Sequence, residues 1–151
     1  MQKIICCLFI VFLGVSLAPH LLDAAEETVT FKIIVQADNP TSELKKEDIA
    51  QLFLKKVKKW KQNDETVLPV DLVENAPVRE QFSEAVHRKK VSFIKAYWQK
   101  QIFSGREVPP VEKESDEEVL KYVEQNLGAI GYVSESAKID DYKVKVIKIL
   151  E

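Results

Sequence analysis

A strand, a short polar loop and the start of a helix follow one another between Val67 and Phe82. Residues 67–72 are rich in Val and Leu, a composition typical of a strand that is buried on both faces. Pro77 suits the first position of a helix, where its missing N–H removes no hydrogen bond. At such a junction, free N–H groups and the positive end of the helix dipole can bind an anion. The same stretch also fits a plain strand-to-helix connection, which is the commoner case in α/β proteins.

Few residues could act in catalysis or hold a metal. If the chain is cleaved after Ala24, no Cys remains and His87 is the single His. Structural zinc sites need Cys and His ligands, so we expect no metal site. A hydrolase is a weak alternative because no nucleophile–base pair is evident, and we expect no catalytic residue and no cofactor. His87 is expected to cap the end of its helix, and a net charge of −2 predicts no nucleic-acid partner.

The first 24 residues have the layout of a secretory signal peptide. Lys3 precedes an uncharged, mostly apolar run over residues 4–18, and the small residues Ala24 and Ala25 follow. The run is shorter than the roughly 20 residues that span a bilayer, so a retained membrane anchor is the lesser alternative. We therefore predict a signal peptide over 1–24, cleaved near Ala24 or Ala25, and one exported, periplasmic domain over 25–151. Contact with a membrane is expected only through an uncleaved signal segment.

The remaining sequence predicts elements in the order β-α-β-α-α-α-β-β. Strands are expected at 28–36, 67–72, 128–133 and 142–149, the last as an edge strand with charged residues that hinder aggregation. The helices are expected to begin after Lys45, at Pro77, after Lys90 and after Ser115, where Glu118 completes a capping box. Residues 106–113 read as an extended surface connection. The fold class predicted is α/β, with a mostly parallel sheet flanked by helices and one added antiparallel strand.

Five short motifs occur in a recognisable order. They are Asp48–Leu54 with Trp60, Leu68–Val70, Arg79–Phe82, Tyr97–Trp98 with Ile102–Gly105, and Gly128–Val133. Their order and spacing resemble those of the substrate-binding proteins of phosphate ABC transporters, which have the type II periplasmic-binding-protein fold. The resemblance covers about residues 30–135. It implies that the chain is a single lobe, the second, of a protein type in which two lobes hold the anion between them.

The resemblance also indicates where an anion would bind. In that family the buried strand leads into a loop of the type Arg-Ser-Asp-x-Ser-Gly-Thr, whereas this chain has residues 71–79 without those hydroxyls and with the acidic Asp71 and Glu74. The matching positions that can still contact an anion are Asn75, Arg79 and the N–H groups of Val78 and Arg79. About three such hydrogen bonds give a dissociation constant near or above millimolar, so useful binding would need a second surface.

Two functions remain open from the sequence. The resemblance implies binding of phosphate or a related oxyanion in connection with ABC transport, without catalysis. The alternative is an interaction module that kept the fold, lost the ligand and binds an envelope or transporter protein or a second copy of itself. The direction of Asp71 separates the two. If Asp71 pairs with Arg79, the helix start is shielded from anions and the interaction module is favoured.

Overall fold

The computed structural model describes residues 31–151, so the predicted signal peptide over 1–24 lies outside the described residues. The strands are β1 Phe31–Gln36, β2 Glu43–Lys45, β3 Leu68–Leu72, β4 Val111–Lys113, β5 Ala129–Ser134, β6 Val144–Val146 and β7 Lys148–Leu150. The helices are α1 Lys46–Phe53, α2 Pro77–Phe82 with a π-helical turn Ser83–His87, α3 Val91–Phe103 and α4 Asp116–Gln125. No helix between residues 31 and 151 is long and apolar enough to cross a membrane.

The main sheet has five strands in the order β4-β3-β5-β1-β6. Strand β3 runs parallel to both β4 and β5, whereas β1 is antiparallel to both β5 and β6. Four strands therefore share one direction and β1 runs against them, which confirms the predicted mostly parallel sheet with one antiparallel strand. A second, two-stranded sheet pairs β2 with β7 in parallel.

The last predicted strand divides in two at Ile147. The N–H of Ile147 donates to the carbonyl of Ile33 in β1, whereas the N–H of Lys148 donates to the carbonyl of Ser42, beside β2. The side chain of Ile147 is almost fully buried. The chain therefore changes sheets here, which explains why the apolar alternation in residues 142–149 shifts by one position.

The core lies on the helix-covered faces of β5 and its neighbours. Gly131 of β5 faces helix α4 and strand β3 so closely that a Cβ there would lie 2.8 Å from Cγ1 of both Val119 and Val70. Beyond it, the ring of Tyr132 stacks on that of Phe82, with centroids 3.9 Å apart and planes 4° apart. This stack fixes α2 against the sheet and places the end of β3 next to the start of that helix.

Most helix boundaries agree with the local sequence signals. Helix α1 follows Lys45, which makes no side-chain cap, and α2 begins at Pro77. Gly105, just past α3, has a φ of 65°, and the hydroxyl of Ser115 accepts a 3.3 Å hydrogen bond from the N–H of Glu118. The expected capping role of His87 is wrong. Arg88 takes the left-handed conformation after the π-helical turn, and the Nδ1 of His87 is buried without a hydrogen-bond partner among residues 31–151.

Candidate functional site

The candidate site is the junction where β3 ends and α2 begins. Ala76, the residue before the helix, has an extended conformation and no side-chain cap. Its N–H donates to the carbonyl of Val73, and the N–H of Arg79 donates to the carbonyl of Ala76 at 2.9 Å. Asn75 lies exposed on the loop and Val78 is partly exposed on the first turn of α2. The Arg79 amide expected to contact an anion is therefore already used within the turn.

The side chain of Arg79 points inward and is only 7% exposed. Its Nη2 lies 3.2 Å from Oδ2 of Asp71, and its Nη1 lies 2.9 Å from Oε1 of Glu112. The same Nη1 also donates to the carbonyl oxygen of Leu72 at the end of β3. The guanidinium thus joins the ends of two neighbouring strands, β3 and β4, and its charge is matched by two carboxylates of the protein.

Asp71 is the centre of this network. Its Oδ1 accepts hydrogen bonds from the hydroxyl of Tyr132 in β5 and from the N–H of Leu72, the latter at 3.0 Å. Its side chain is 9% exposed, so a buried charge is stabilised here by Arg79 and by two further donors. Asp71 therefore pairs with Arg79, the arrangement that shields the helix start from an external anion.

The buried groups shift one another's pKa values. Burial raises the pKa of Asp71, although the Arg79 guanidinium and the Tyr132 hydroxyl oppose that shift. Burial alone would lower the pKa of Arg79, but the neighbouring Asp71 and Glu112 raise it overall. Burial and the Asp71 carboxylate also raise the pKa of Tyr132, so its hydroxyl stays protonated and donates to Asp71.

A cleft of about 210 Å³ opens beside Arg79, between the start of α2, helix α3 and strand β4. Its apolar wall is formed by Val91, Trp98, Ile102 and Pro109, and its charged rim by Glu74, Arg79, Lys95 and Glu112. Lys95 and Glu74 form an ion pair at 2.7 Å. The cleft therefore joins apolar surface to charges that are already paired. Among residues 31–151, no cluster of His, Cys, Asp or Glu side chains could hold a metal ion.

Sequence reasoning identified Arg79 and the discriminating role of Asp71, but it missed Glu112, Tyr132 and Lys95 as their neighbours. One signal was available for the buried pair. Asp71 is the single charged residue in an apolar strand, and a buried carboxylate needs a cation or several donors. No comparable signal marked Glu112, because the strand that carries it has three residues and follows two prolines.

No protein-family model matches the chain, and no curated protein matches it. Several solved structures do share its fold. A protein described as a phosphate ABC transporter substrate-binding protein with bound phosphate, from Clostridium perfringens, superposes with a TM-score of 0.63 at 24% identity. An ABC-type phosphate transport receptor from Vibrio cholerae superposes with a TM-score of 0.61 at 22% identity. PstS from Borrelia burgdorferi superposes with a TM-score of 0.63 at 12% identity.

The likeness covers 80% of this chain in each of the three cases, but only 44%, 46% and 47% of the respective neighbour. The chain thus spans less than half the length of these solved proteins. At these levels of identity the comparison shows the fold. The described part of the chain therefore has the fold of about one half of a phosphate ABC transporter substrate-binding protein.

Proposed function

We propose that this chain is an exported, non-enzymatic module that keeps the fold of one lobe of a phosphate-transport binding protein and acts by binding another protein. The observation that carries the proposal is the ion pair between Asp71 and Arg79, reinforced by Glu112. The cation best placed to hold an oxyanion at the β3–α2 junction is held instead by the chain's own carboxylates. The signal-peptide layout of residues 1–24 supports export to the periplasm.

Electrostatics favours this proposal over a free anion site. An oxyanion next to Arg79 would also lie close to Asp71 and Glu112, and two like charges about 4 Å apart repel by about 4 kcal/mol near a protein surface. A hydrogen bond to a charged group returns about 1.5 to 3 kcal/mol. One or two new bonds would therefore be offset by the repulsion, before the cost of association is counted.

Oxyanion binding is the second candidate function, and the exposure of Glu112 supports it. The Glu112 side chain is 48% exposed, so it can turn into solvent and open one face of Arg79 toward the cleft. Phosphate or a related oxyanion would then be held by Arg79, by the side chain of Asn75 and by the N–H of Val78. The bound phosphate in the Clostridium perfringens protein of the same fold supports this candidate.

Thermal unfolding of the purified protein in phosphate, sulfate and chloride at matched ionic strength separates the two candidates. An interaction module gives about the same unfolding temperature in phosphate as in sulfate, since both anions stabilise folded proteins without a specific site, and chloride gives the baseline. A ligand present at 100 times its dissociation constant stabilises by about 2.7 kcal/mol, which shifts the transition by several degrees. A phosphate-selective shift that Asn75→Ala weakens would support the oxyanion site and overturn the proposal. Asn75 is exposed, so this variant tests binding without disturbing the core.

A further inference from the structure

The exposed apolar residues near the cleft beside Arg79 are unusually concentrated. Seven large hydrophobic side chains are exposed between residues 31 and 151, and four of them lie between residues 102 and 111: Ile102, Phe103, Val108 and Val111. Ile102 lines the cleft, and the other three each adjoin in sequence a residue that does. Phe103 is 90% exposed. Exposed apolar side chains grouped beside a cleft are typical of a protein-binding site.

The carboxylates that contact Arg79 outnumber this cation. Asp71 and Glu112 both contact Arg79, whereas Glu74 and Lys95 balance each other, so these five side chains together carry one net negative charge. Arg79 is buried, whereas Glu74 and Glu112 are each about half exposed. Glu112 uses only Oε1 toward Arg79. A partner that adds a cation at this rim would therefore be attracted, and one that adds an anion would be repelled.

Strand β4 supplies a place for the partner's backbone. It forms one end of the five-stranded sheet and pairs with β3 on one side only. Lys113 faces β3, because its carbonyl accepts from the N–H of Val73. Alternation along the strand therefore turns the N–H and carbonyl of Glu112 toward the open side. An extended segment can add to such an edge through main-chain hydrogen bonds, with alternate side chains reaching neighbouring pockets.

We propose that the cleft between α2, α3 and β4 binds an extended segment of a partner protein that carries a Lys or Arg two residues away from an apolar side chain, so that both face the cleft. The apolar side chain packs against Ile102 and Phe103, and the cation lies by Glu112 and Glu74. Pro110, which has no N–H to donate, limits the paired length to a few residues at β4. The inference rests on the proposed function and specifies the chemistry of the partner.

Short peptides test this chemistry directly. The probe is an acetylated, fluorescently labelled five-residue peptide, valine-serine-lysine-serine-valine, which places both valines and the lysine on one face of a strand. It is compared with matched peptides in which glutamate or glutamine replaces lysine. Fluorescence anisotropy against the purified protein should show binding in the order lysine, glutamine, glutamate. Glu112→Gln should weaken lysine-peptide binding by up to about fivefold, the size of a solvent-exposed ion pair. The same variant should leave glutamine-peptide binding unchanged.

The chain provides a matched control for the apolar contact. Phe103→Ser should weaken binding of all three peptides by about tenfold. Phe93→Ser removes another exposed ring, 63% exposed, from the same helix. Phe93 lies nine residues before Ile102, about two and a half turns, and so faces away from the cleft. It should leave binding unchanged. Circular dichroism establishes that each variant is folded.

Three results would overturn the inference. They are no peptide binding, equal affinity for the lysine and glutamate peptides, and equal losses in Phe103→Ser and Phe93→Ser. A fourth such result would come from sedimentation of the protein alone. If the protein is a dimer and Phe103→Ser dissociates it, a second copy of the chain occupies the cleft instead of a partner protein. If any of these four results is found and phosphate does not raise the unfolding temperature, the proposed function as an interaction module is retained and a different surface must bind the partner. A phosphate-selective rise in unfolding temperature instead overturns the proposed function.

Discussion

Replacing Arg79 with Met tests whether this residue is a structural ion-pair partner or a free ligand group. The side chain is 7% exposed, and its removal leaves Asp71, 9% exposed, as a buried carboxylate without a cation. Breaking one side of a buried ion pair destabilises by about 3–5 kcal/mol. Glu112 adds little to this cost, because it is half exposed and can be hydrated once the partner is gone. We therefore expect Arg79→Met to lower the unfolding free energy by about 3–5 kcal/mol.

Urea unfolding of a double-mutant cycle measures this coupling. Asp71→Asn keeps an oxygen that accepts from Tyr132 and from the N–H of Leu72, but it removes the charge. The double variant Asp71→Asn/Arg79→Met should therefore be more stable than the sum of the single effects predicts, by about 0.5–3 kcal/mol. Glu112→Gln is the matched control, since its exposed ion pair should contribute less than about 1 kcal/mol.

An Arg79→Met variant that loses less than about 1 kcal/mol of unfolding free energy, with an unchanged dependence on urea, would contradict a structural role for Arg79. Such a result would mean that the guanidinium is not needed to balance Asp71. Arg79 would then be available to a ligand, and the oxyanion candidate would regain its charge partner. Additive single effects in the cycle would lead to the same conclusion.

Three further predictions concern stability. Burial and Arg79 lower the pKa of His87 to about 4, so between pH 6.5 and 4 the unfolded chain binds a proton at this residue and the folded chain does not. The unfolding free energy should therefore fall as the pH falls through this range. In urea titrations, His87→Phe should remove about 3 kcal/mol of that fall. A loss unchanged in His87→Phe would contradict this. Gly131→Ala should lower the unfolding free energy from urea titrations by about 1–3 kcal/mol, because its Cβ would overlap two valine side chains. An unchanged unfolding free energy would count against the packing described. Ser115→Ala should cost about 1 kcal/mol in the same assay by removing the cap of α4, whereas Ser104→Ala, beyond the end of α3, should cost less.

The elements that sequence predicts well are those whose signals are local. Pro77 begins α2 and Ser115 begins α4, because the N–H groups of a helix start select these residue types within one turn. Gly105 ends α3 for a similar local reason, its positive φ. The two missed strands, β2 and β4, have three residues each and owe their pairing to partners at Lys148–Leu150 and Val70–Leu72. Such strands carry almost no signal of their own, since sheet preference depends on the neighbours.

The candidate site also has a part that local sequence predicts and a part that depends on distant residues. Asp71 and Arg79 are eight residues apart, so sequence can place both at one strand-to-helix junction, but it cannot fix the direction of either side chain. That direction is set from elsewhere in the chain. Glu112 and Tyr132 reach the pair from 33 and 61 residues away, through β4 and β5. The resemblance to phosphate-binding proteins predicted the fold because many positions contribute to it, whereas the state of Arg79 depends on these few contacts.

An external anion at this junction has to compete with a carboxylate that the fold already holds in place. Asp71 is fixed by the backbone of β3 and by Tyr132, so its pairing with Arg79 costs little further loss of freedom. A phosphate ion from solution gives up its translational freedom to reach the same guanidinium, and it meets the charge of Asp71 there. A shared scaffold therefore does not by itself determine whether this junction binds an anion. In this chain the carboxylate at the end of β3 makes Arg79 part of the buried ion-pair network at the junction.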